Sequence, residues 1–471
     1  MSLSLRDIDV STPAVVLKFD PNVMHHGGLG AIRSLGRLGV SVYGVHEGPL
    51  APAASSRYLR GRFFWQADPE HAAAVRDGLL RLAERIGRRA VLIATDDAGA
   101  IFLAEHGEDL RRAFLFPRLD PGLPRRLAGK HAMAELCADL GMPVPRTVLP
   151  DSRADAFGFA AATGFPVVAK LASPWRDGLA LRSTTIAATP ADLTRVWAAS
   201  QHAGARLLLQ EYLPGGAGQD WFFHGYCDAA GWCRPAFTGV KDRSYPAHAG
   251  LTSLGRWVPN PMLSDQLTGL LCRLPYSGIV DLDVRFDVRS REYKLLDANP
   301  RLGAQFRLFE DSAGVDVVRA SYLDLTGQPI PDGEPVTGRA FMVENYDPIS
   351  SLSYWRRGEL GLRDWARSLR GVREAAWFAP DDLRPFGLMC LRMSWRAASR
   401  RFAAGHARRS GDAATPRYRP GRRAAHRPPP APSGPGPVHV AAAPPAPPGA
   451  GGRPAWPRRR VTTTGVRNRG G

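Results

Sequence analysis

At 471 residues, 44% of them hydrophobic, the chain is long enough for two or three domains and has the composition of a globular protein. A formal charge of +18 suggests nucleic acid or an anionic membrane only if spread evenly, but residues 401 to 471 hold 14 Arg against one acid, Asp412, leaving about +5 for the body. Five cysteines (Cys137, Cys227, Cys233, Cys272 and Cys390) with no C-x-x-C pair indicate neither a disulfide framework nor a structural zinc site, and no apolar run of about 18 residues occurs, so a reducing, cytoplasmic setting without a membrane span is expected.

Strand and helix periods alternate from the start of the chain. Ala14 to Leu17 reads as a short strand, and Gly28 to Leu38 carries Leu29, Ile32, Leu35 and Leu38 at helical spacing. Val40 to Val45 is a second strand; Ala90 to Ala94 is a third, ending in Thr95-Asp96-Asp97 before a helix around Ile101 to Glu105. Such alternation makes a small parallel α/β sheet over residues 1 to 119. The Gly27-Gly28-Leu29-Gly30 turn invites a dinucleotide reading, but Arg33 stands where the third glycine belongs and no acid beyond Glu47 is suitably spaced. A tight turn with backbone N–H groups at a helix start is the better reading, and the adjacent His25 and His26 diverge too far to share a metal.

Residues 120 to 334 carry the concentration of chemistry. Lys130 opens the helical stretch HAMAELCADLG; the apolar run Phe165 to Ala169 leads to Lys170; Leu207-Leu208-Leu209-Gln210-Glu211-Tyr212-Leu213-Pro214-Gly215 leaves a strand for a turn. Ile279 to Phe286 and Glu292 to Asp297 alternate as paired strands joined by Asp-Val-Arg-Ser-Arg. Because side chains two apart on a strand share a face, Asp297 and Asn299 point together and Asp283 on the neighbouring strand meets them, an oxygen set suited to Mg²⁺ that keeps phosphate and water ligands. A solvated acidic hairpin is the bland alternative for that set taken alone.

Residues 335 to 400 form a Trp- and Arg-rich extension with Trp355, Trp365 and Trp377, read as core packing in preference to a base-stacking platform. Past Arg400, Pro, Ala, Gly and Arg dominate without apolar periodicity, so residues 401 to 471 are expected to be disordered. The composition of this tail also matches a frameshifted reading of GC-rich coding DNA.

Two lysines, a strand-ending Gln-Glu and an Asp…Asp-x-Asn set, in that order, resemble the ATP-grasp superfamily, and within it the carboxylate–amine ligases, D-aspartate ligase-like members included. The resemblance covers roughly residues 12 to 395. It implies an α/β and α+β architecture: a small parallel N-terminal domain, then a two-lobed ATP-binding module. It further implies ATP with Mg²⁺, or Mn²⁺ in its place, as cofactors, and a carboxylate and an amine, amino acids among them, as substrates. A homo-oligomer is compatible with it, and no specific nucleic acid is implied.

Residue by residue, the resemblance makes Lys130 and Lys170 the nucleotide lysines. It assigns Glu211, Tyr212 and Leu213 to the segment that reads adenine, and Asp220 to the ribose hydroxyls. Asp283, Asp297 and Asn299 become the metal ligands, with Asp281 a spare. Lys241 and Arg243, in FTGVKDRSYPAHAG, would face the γ-phosphate and reacting carboxylate from a covering loop, sharing a side if the backbone is extended. Arg301 would neutralise the acylphosphate or the tetrahedral intermediate. The phosphate loop departs from the family, reading ASPWRDGLALRST with Gly178 alone, so Ser173, Arg176 or backbone N–H groups would close over the γ-phosphate. Asp297 stands where the family usually has Glu. Two other classes compete: a nucleotide-binding module without catalysis, and a nucleic-acid-associated protein acting through the basic tail.

Overall fold

Short β-branched runs at the start of the chain build a parallel sheet. The computed structural model describes residues 5, 8 to 65, 68, 70 to 172, 184 to 216, 218 to 248 and 250 to 411, and those up to Ala407 belong to one compact unit. Strands β1 (Ala14–Leu17), β2 (Val42–His46), β3 (Leu59–Phe64), β4 (Ala90–Ala94) and β5 (Phe114–Leu115) run parallel in the order β3-β2-β1-β4-β5. The order reverses between β1 and β4, which opens a crevice at their carboxyl ends. The helix Gly27–Arg37 buries Leu29, Ile32 and Leu35 against Val16 and Val42. The helix Ala72–Ile86, absent from the sequence reading like β3, seals the other face with Val75, Leu79 and Leu82.

A second, antiparallel sheet comes next in the chain. It contains β6 (Thr147–Val148), β7 (Val167–Leu171), β8 (Thr184–Ala187) and β9 (Leu207–Glu211) in the order β6-β9-β7-β8. Two helices cover one face, Arg153–Thr163 and Pro190–His202. Each begins with a reciprocal cap, Ser152 with Asp155 and Thr189 with Asp192, a device that stabilises a helix start by about 1 kcal/mol. Ala156, Ala160 and Leu193 pack on Val167, Ala169, Leu207 and Leu209. Alternation along β7 therefore turns Lys170 to the opposite, uncovered face.

The large sheet has the order β14-β13-β10-β11-β12-β15-β16. Its strands are β10 (Asp220–Cys227), β11 (Cys233–Tyr245), β12 (Leu251–Trp257), β13 (Gly278–Asp287), β14 (Glu292–Asn299), β15 (Ala340–Met342) and β16 (Val372–Ala375). The helices Lys130–Asp139 and Pro261–Arg273 cover one face, where Met133, Leu136, Leu263, Leu267 and Leu270 meet Phe223, Val280, Leu282, Val284, Leu295 and Ala298. Every second residue of β13 and β10 is thus buried beneath helices; on the opposite face Phe222, Tyr226 and Ile279 join a second apolar core, and β13 presents Asp281, Asp283 and Arg285.

Several sequence expectations are corrected by the structure. Cys227 and Cys233, opposite one another across the β10–β11 hairpin, form a disulfide, where the sequence indicated no pairing. Strand register brings together cysteines whose spacing carried no motif. The extension adds β15 and β16 to the large sheet. Trp377 is fully buried and donates to Asn345, Trp365 is half-buried, but Trp355 is 53% exposed and so is not core. The helix Arg384–Gly411 runs past Arg400 into the segment expected to be disordered, and residues 412 to 471 lie outside the described residues. No helix among the described residues is long and apolar enough to cross a membrane.

Candidate active site

The hairpin β13–β14 sets the acids. Asp283 pairs with Asp297 and Asp281 with Asn299, and a one-residue shift at Leu296 keeps Asp297 and Asn299 on the face opposite the buried Leu295 and Ala298. Four oxygen-bearing side chains therefore line one face of two adjacent strands, with Phe222 and His224 of β10 as the next cross-strand neighbours. Among the described residues no three His, Cys, Asp or Glu side chains form a cluster that holds a metal unaided. Two carboxylates and an amide are nonetheless the hard-oxygen complement that Mg²⁺ takes when phosphate and water complete its shell, so the donor chemistry fits that ion.

Lysines from three elements converge on these acids. Lys130, first residue of its helix, pairs with Asp297 Oδ1, and Lys241 Nζ on β11 lies 2.8 Å from Asp283 Oδ1. Lys170 comes from the second sheet. Burial and the neighbouring Lys130 push its ammonium down to about 8, against the pull of Asp297 and Asp283. Asp297 responds to the same charges: burial raises its pKa, but Lys130 and Lys170 outweigh burial and hold it below the usual carboxylate value. For Lys241, burial works against the charge and Asp283 overcomes it, so its pKa is raised.

The adenine and ribose candidates occupy the hinge between the sheets. Glu211, at the end of β9, is held by two cations: Lys294 Nζ on β14 at 2.8 Å and Arg146 Nε at 3.0 Å. Burial favours its neutral form, but those hydrogen bonds prevail and keep it ionised. Asp220 is bound at 2.5 and 3.0 Å by the guanidinium of Arg285, whose Nη1 also donates to the Leu213 carbonyl at 2.8 Å. Tyr212, between Glu211 and Leu213, is half-buried. Arg285 was missed in the sequence, although it stands two residues beyond Asp283 on the same strand and so shares its face. Lys294 was missed because it acts through Glu211 from a different sheet.

Arg243 is not brought to the site. A β-bulge shifts the β11–β12 register between Lys241 and Arg243, which breaks the alternation that placed both on one side. The guanidinium of Arg243 is buried against Asp347 at 2.8 and 3.0 Å and donates to Ser368 at 2.9 Å, a structural pair with the extension. Arg301 does join the cluster. Its Nη1 lies 3.0 Å from Asp281 Oδ2 and its Nε 3.3 Å from Asp97 Oδ1, so Asp281, the spare metal-ligand candidate, is engaged by Arg301. The candidates Ser173, Arg176 and Gly178 of the phosphate loop lie outside the described residues.

No family model matches the chain. D-aspartate ligase of Enterococcus faecium (strain Aus0004) is 25% identical over 242 residues, covering 48% of this chain and 57% of that protein. The chain thus matches little more than half the length of that relative. Among solved structures, N5-carboxyaminoimidazole synthetase from Staphylococcus aureus superimposes with a TM-score of 0.51 at 12% identity, over 72% of this chain and 83% of that one. N5-carboxyaminoimidazole ribonucleotide synthetase in complex with ADP gives 0.53 at 13% identity, over 70% and 80%. The biotin carboxylase domain of Hydrogenobacter thermophilus 2-oxoglutarate carboxylase, solved with MgADP and bicarbonate, gives 0.52 at 14%, over 71% and 74%. At these identities the structural likeness speaks for the fold.

Proposed function

We propose that the chain is an ATP-dependent carboxylate–amine ligase of the ATP-grasp type, forming an amide or peptide bond through an acylphosphate and releasing ADP and phosphate. The observation that carries the reading is the convergence of Lys130, Lys170 and Lys241 on Asp283 and Asp297. Three ammonium groups and two carboxylates from separate elements have no need to meet for stability, because pairing buried ions costs about as much desolvation as it returns. They suit a triphosphate with its metal. The structural neighbours solved with ADP and MgADP, and the D-aspartate ligase relative, support the same chemistry.

On this reading residues 1 to 119 form the N-terminal domain, 120 to 334 the nucleotide module and 335 to 400 an extension. Asp283, Asp297 and Asn299 would hold Mg²⁺, which supplies charge neutralisation at the phosphates. Lys170 meets the α- and β-phosphates, and Lys130 leaves Asp297 for phosphate oxygens within reach of its stem. Lys241 lies towards the γ-phosphate. Glu211, fixed by Lys294 and Arg146, joins the hinge to the large sheet so that the backbone of Tyr212 and Leu213 is presented to adenine. Asp220 reaches the ribose hydroxyls only by sharing its oxygens with Arg285. Arg301 stabilises charge that develops as the carboxylate is phosphorylated and the amine attacks, a preorganised cation in a site partly closed to water. The substrates are a small carboxylate and an amine, amino acids by preference, in a cytoplasmic setting.

The test is an ADP-release screen of amino acids and small carboxylates, singly and in pairs, with Mg²⁺ and ATP. ADP appearing only when an acid and an amine are combined supports ligation. ATP binding without turnover for any pair would leave a nucleotide-binding module without catalysis.

A further inference from the structure

The Thr95-Asp96-Asp97 sequence ends β4 at the crevice where the parallel sheet reverses its order. Thr95 Oγ1 donates to the Leu17 carbonyl at 3.0 Å, and Asp96 caps the helix Asp97–His106 by accepting from Gly99 N at 2.7 Å. The same Asp96 carboxylate accepts from the backbone of Phe19 and Asp20 at 2.5 and 2.9 Å, which locks the end of β1 to the helix start. Asp97, next in sequence, is left in a fixed place with its carboxylate unused by the fold. Its Oδ1 lies 3.3 Å from Arg301 Nε.

The arginine is seated from the other side too. Leu302 N donates to the Ala94 carbonyl at 3.4 Å, which docks the turn after β14 on the end of β4. Arg301 Nη1 donates to Asp281 Oδ2 at 3.0 Å. Asp281 rests against His224, whose ring is completely buried, with Nε2 3.4 Å from Asp281 Oδ1. Gly303 makes room for that contact, because a Cβ there would fall 2.3 Å from His224 Cε1 and 2.5 Å from Asp281 Cγ. Burial disfavours the charge on Arg301, and Asp97, Asp281 and Asp297 together more than restore it. The guanidinium is thus flanked from two sides, by an ion pair at Nε with the helix-start carboxylate of Asp97 and by a hydrogen bond from Nη1 to Asp281 of the large sheet, and Nη2 has no hydrogen bond among the described residues.

We propose that Asp97 is a positioning residue that orients Arg301 towards the reacting carboxylate, so that the N-terminal sheet sets the geometry of transfer to the amine. The proposal rests on the ligase reading and on the role that reading gives Arg301. Without Asp97 the guanidinium is held by Asp281 and the Leu302 carbonyl alone and can swing about that anchor. The nucleotide site, on the far side of Asp283 and Asp297, is untouched.

The experiment uses the full chain with ATP, Mg²⁺, hydroxylamine and a mixture of D- and L-amino acids as the probe, reading hydroxamate and ADP. Asp97→Asn should lower kcat about tenfold with the KM for ATP unchanged, and Asp97→Glu should recover part of the loss. In an Arg301→Lys background, Asp97→Asn should cost less than about twofold, since its effect passes through the arginine. Equal activity of Asp97→Asn and wild type, or additive losses in the two backgrounds, overturns the positioning role while the ligase reading stands. A wild type that makes neither hydroxamate nor ADP sinks the ligase reading and this inference with it. Should Asp97→Asn unfold, the same cycle run with Asp97→Glu decides, because additivity there is equally fatal.

Discussion

Replacing Lys170 with Met separates the cost of the proposed nucleotide site from its use. The side chain is half-buried on β7, and burial together with Lys130 lowers its pKa from 10.5 to about 8. A shift of that size corresponds to about 3 kcal/mol of opposition to the charged form, an upper bound because the group retains some contact with water. The folded protein binds the Lys170 proton less tightly than the unfolded chain, so between pH 8 and 10.5 the unfolded state carries more protons and wild-type stability rises with pH. Met keeps an unbranched stem and carries no charge. Lys170→Met should therefore be more stable than wild type by about 1–3 kcal/mol at pH 7, with the advantage fading above pH 8 and gone near 10.5. Urea unfolding of both proteins across that range gives the difference, from which titrations common to the two cancel. Nucleotide affinity, measured by calorimetry at pH 7, should fall roughly ten- to a hundredfold through loss of a charge-assisted contact. A variant that is destabilised at pH 7, or whose stability difference does not vary with pH, refutes the account of the buried charge. Unchanged ATP affinity refutes the nucleotide assignment.

The same geometry dictates three other outcomes. Asp283→Asn combined with Asp297→Asn should abolish the Mg²⁺ dependence of nucleotide binding, read as the change in ADP affinity on adding Mg²⁺; an unaltered titration places the ion elsewhere. Arg243→Met should destabilise the fold by about 3 kcal/mol or more in thermal unfolding, because Asp347 is left buried and unpaired, and a drop in turnover with full stability would restore Arg243 to the chemistry. Removal of residues 412 to 471 should leave ADP release unchanged within about twofold while lowering any binding to DNA or RNA, since the tail carries much of the net charge. Loss of ligation in that truncation would give the tail a part in the reaction.

What could be read in the sequence, and what could not, divides along contact distance. Asp283, Asp297 and Asn299 were legible because a two-residue period and a short turn dictate their faces locally, and the bulge at Leu296 happens to preserve the arrangement. Lys170 was legible because its strand is apolar on one side. The same period failed for Arg243, where a bulge invisible in composition rotates the side chain into the extension. Arg285, Lys294 and Asp97 act on groups brought near by other strands, and one sequence without partners supplies no pairing for them. The disulfide is of the same kind, a consequence of hairpin register. The parallel N-terminal sheet was recovered from β1 and β4, whose runs are continuously apolar, and from β2, around which Val40, Val42 and Val45 recur within a short stretch. β3 escaped because its Leu-Arg-Gly-Arg-Phe-Phe sequence mixes charges on an edge strand.

The nature of the activated intermediate decides between this mechanism and an adenylating ligase. The Asp283, Asp297 and Asn299 face lies beside Lys241; on the proposed reading Lys170 takes the α- and β-phosphates, which leaves the terminal phosphorus as the electrophile offered to the carboxylate. In the proposed reaction the carboxylate oxygen forms a bond to that phosphorus as the bond to the β-phosphate bridging oxygen breaks, and ADP leaves with the electron pair. The amine then attacks the acyl carbon, loses its surplus protons, and expels phosphate. Hydroxylamine, uncharged at neutral pH and smaller than any amino acid, should intercept the acylphosphate when the correct acid is supplied without its amine. Hydroxamate should accumulate in equal amount with ADP and inorganic phosphate, and all three should vanish in Lys170→Met. AMP and pyrophosphate in their place would mean attack at the α-phosphorus, and would overturn the mechanism whatever the fold shares with its structural neighbours.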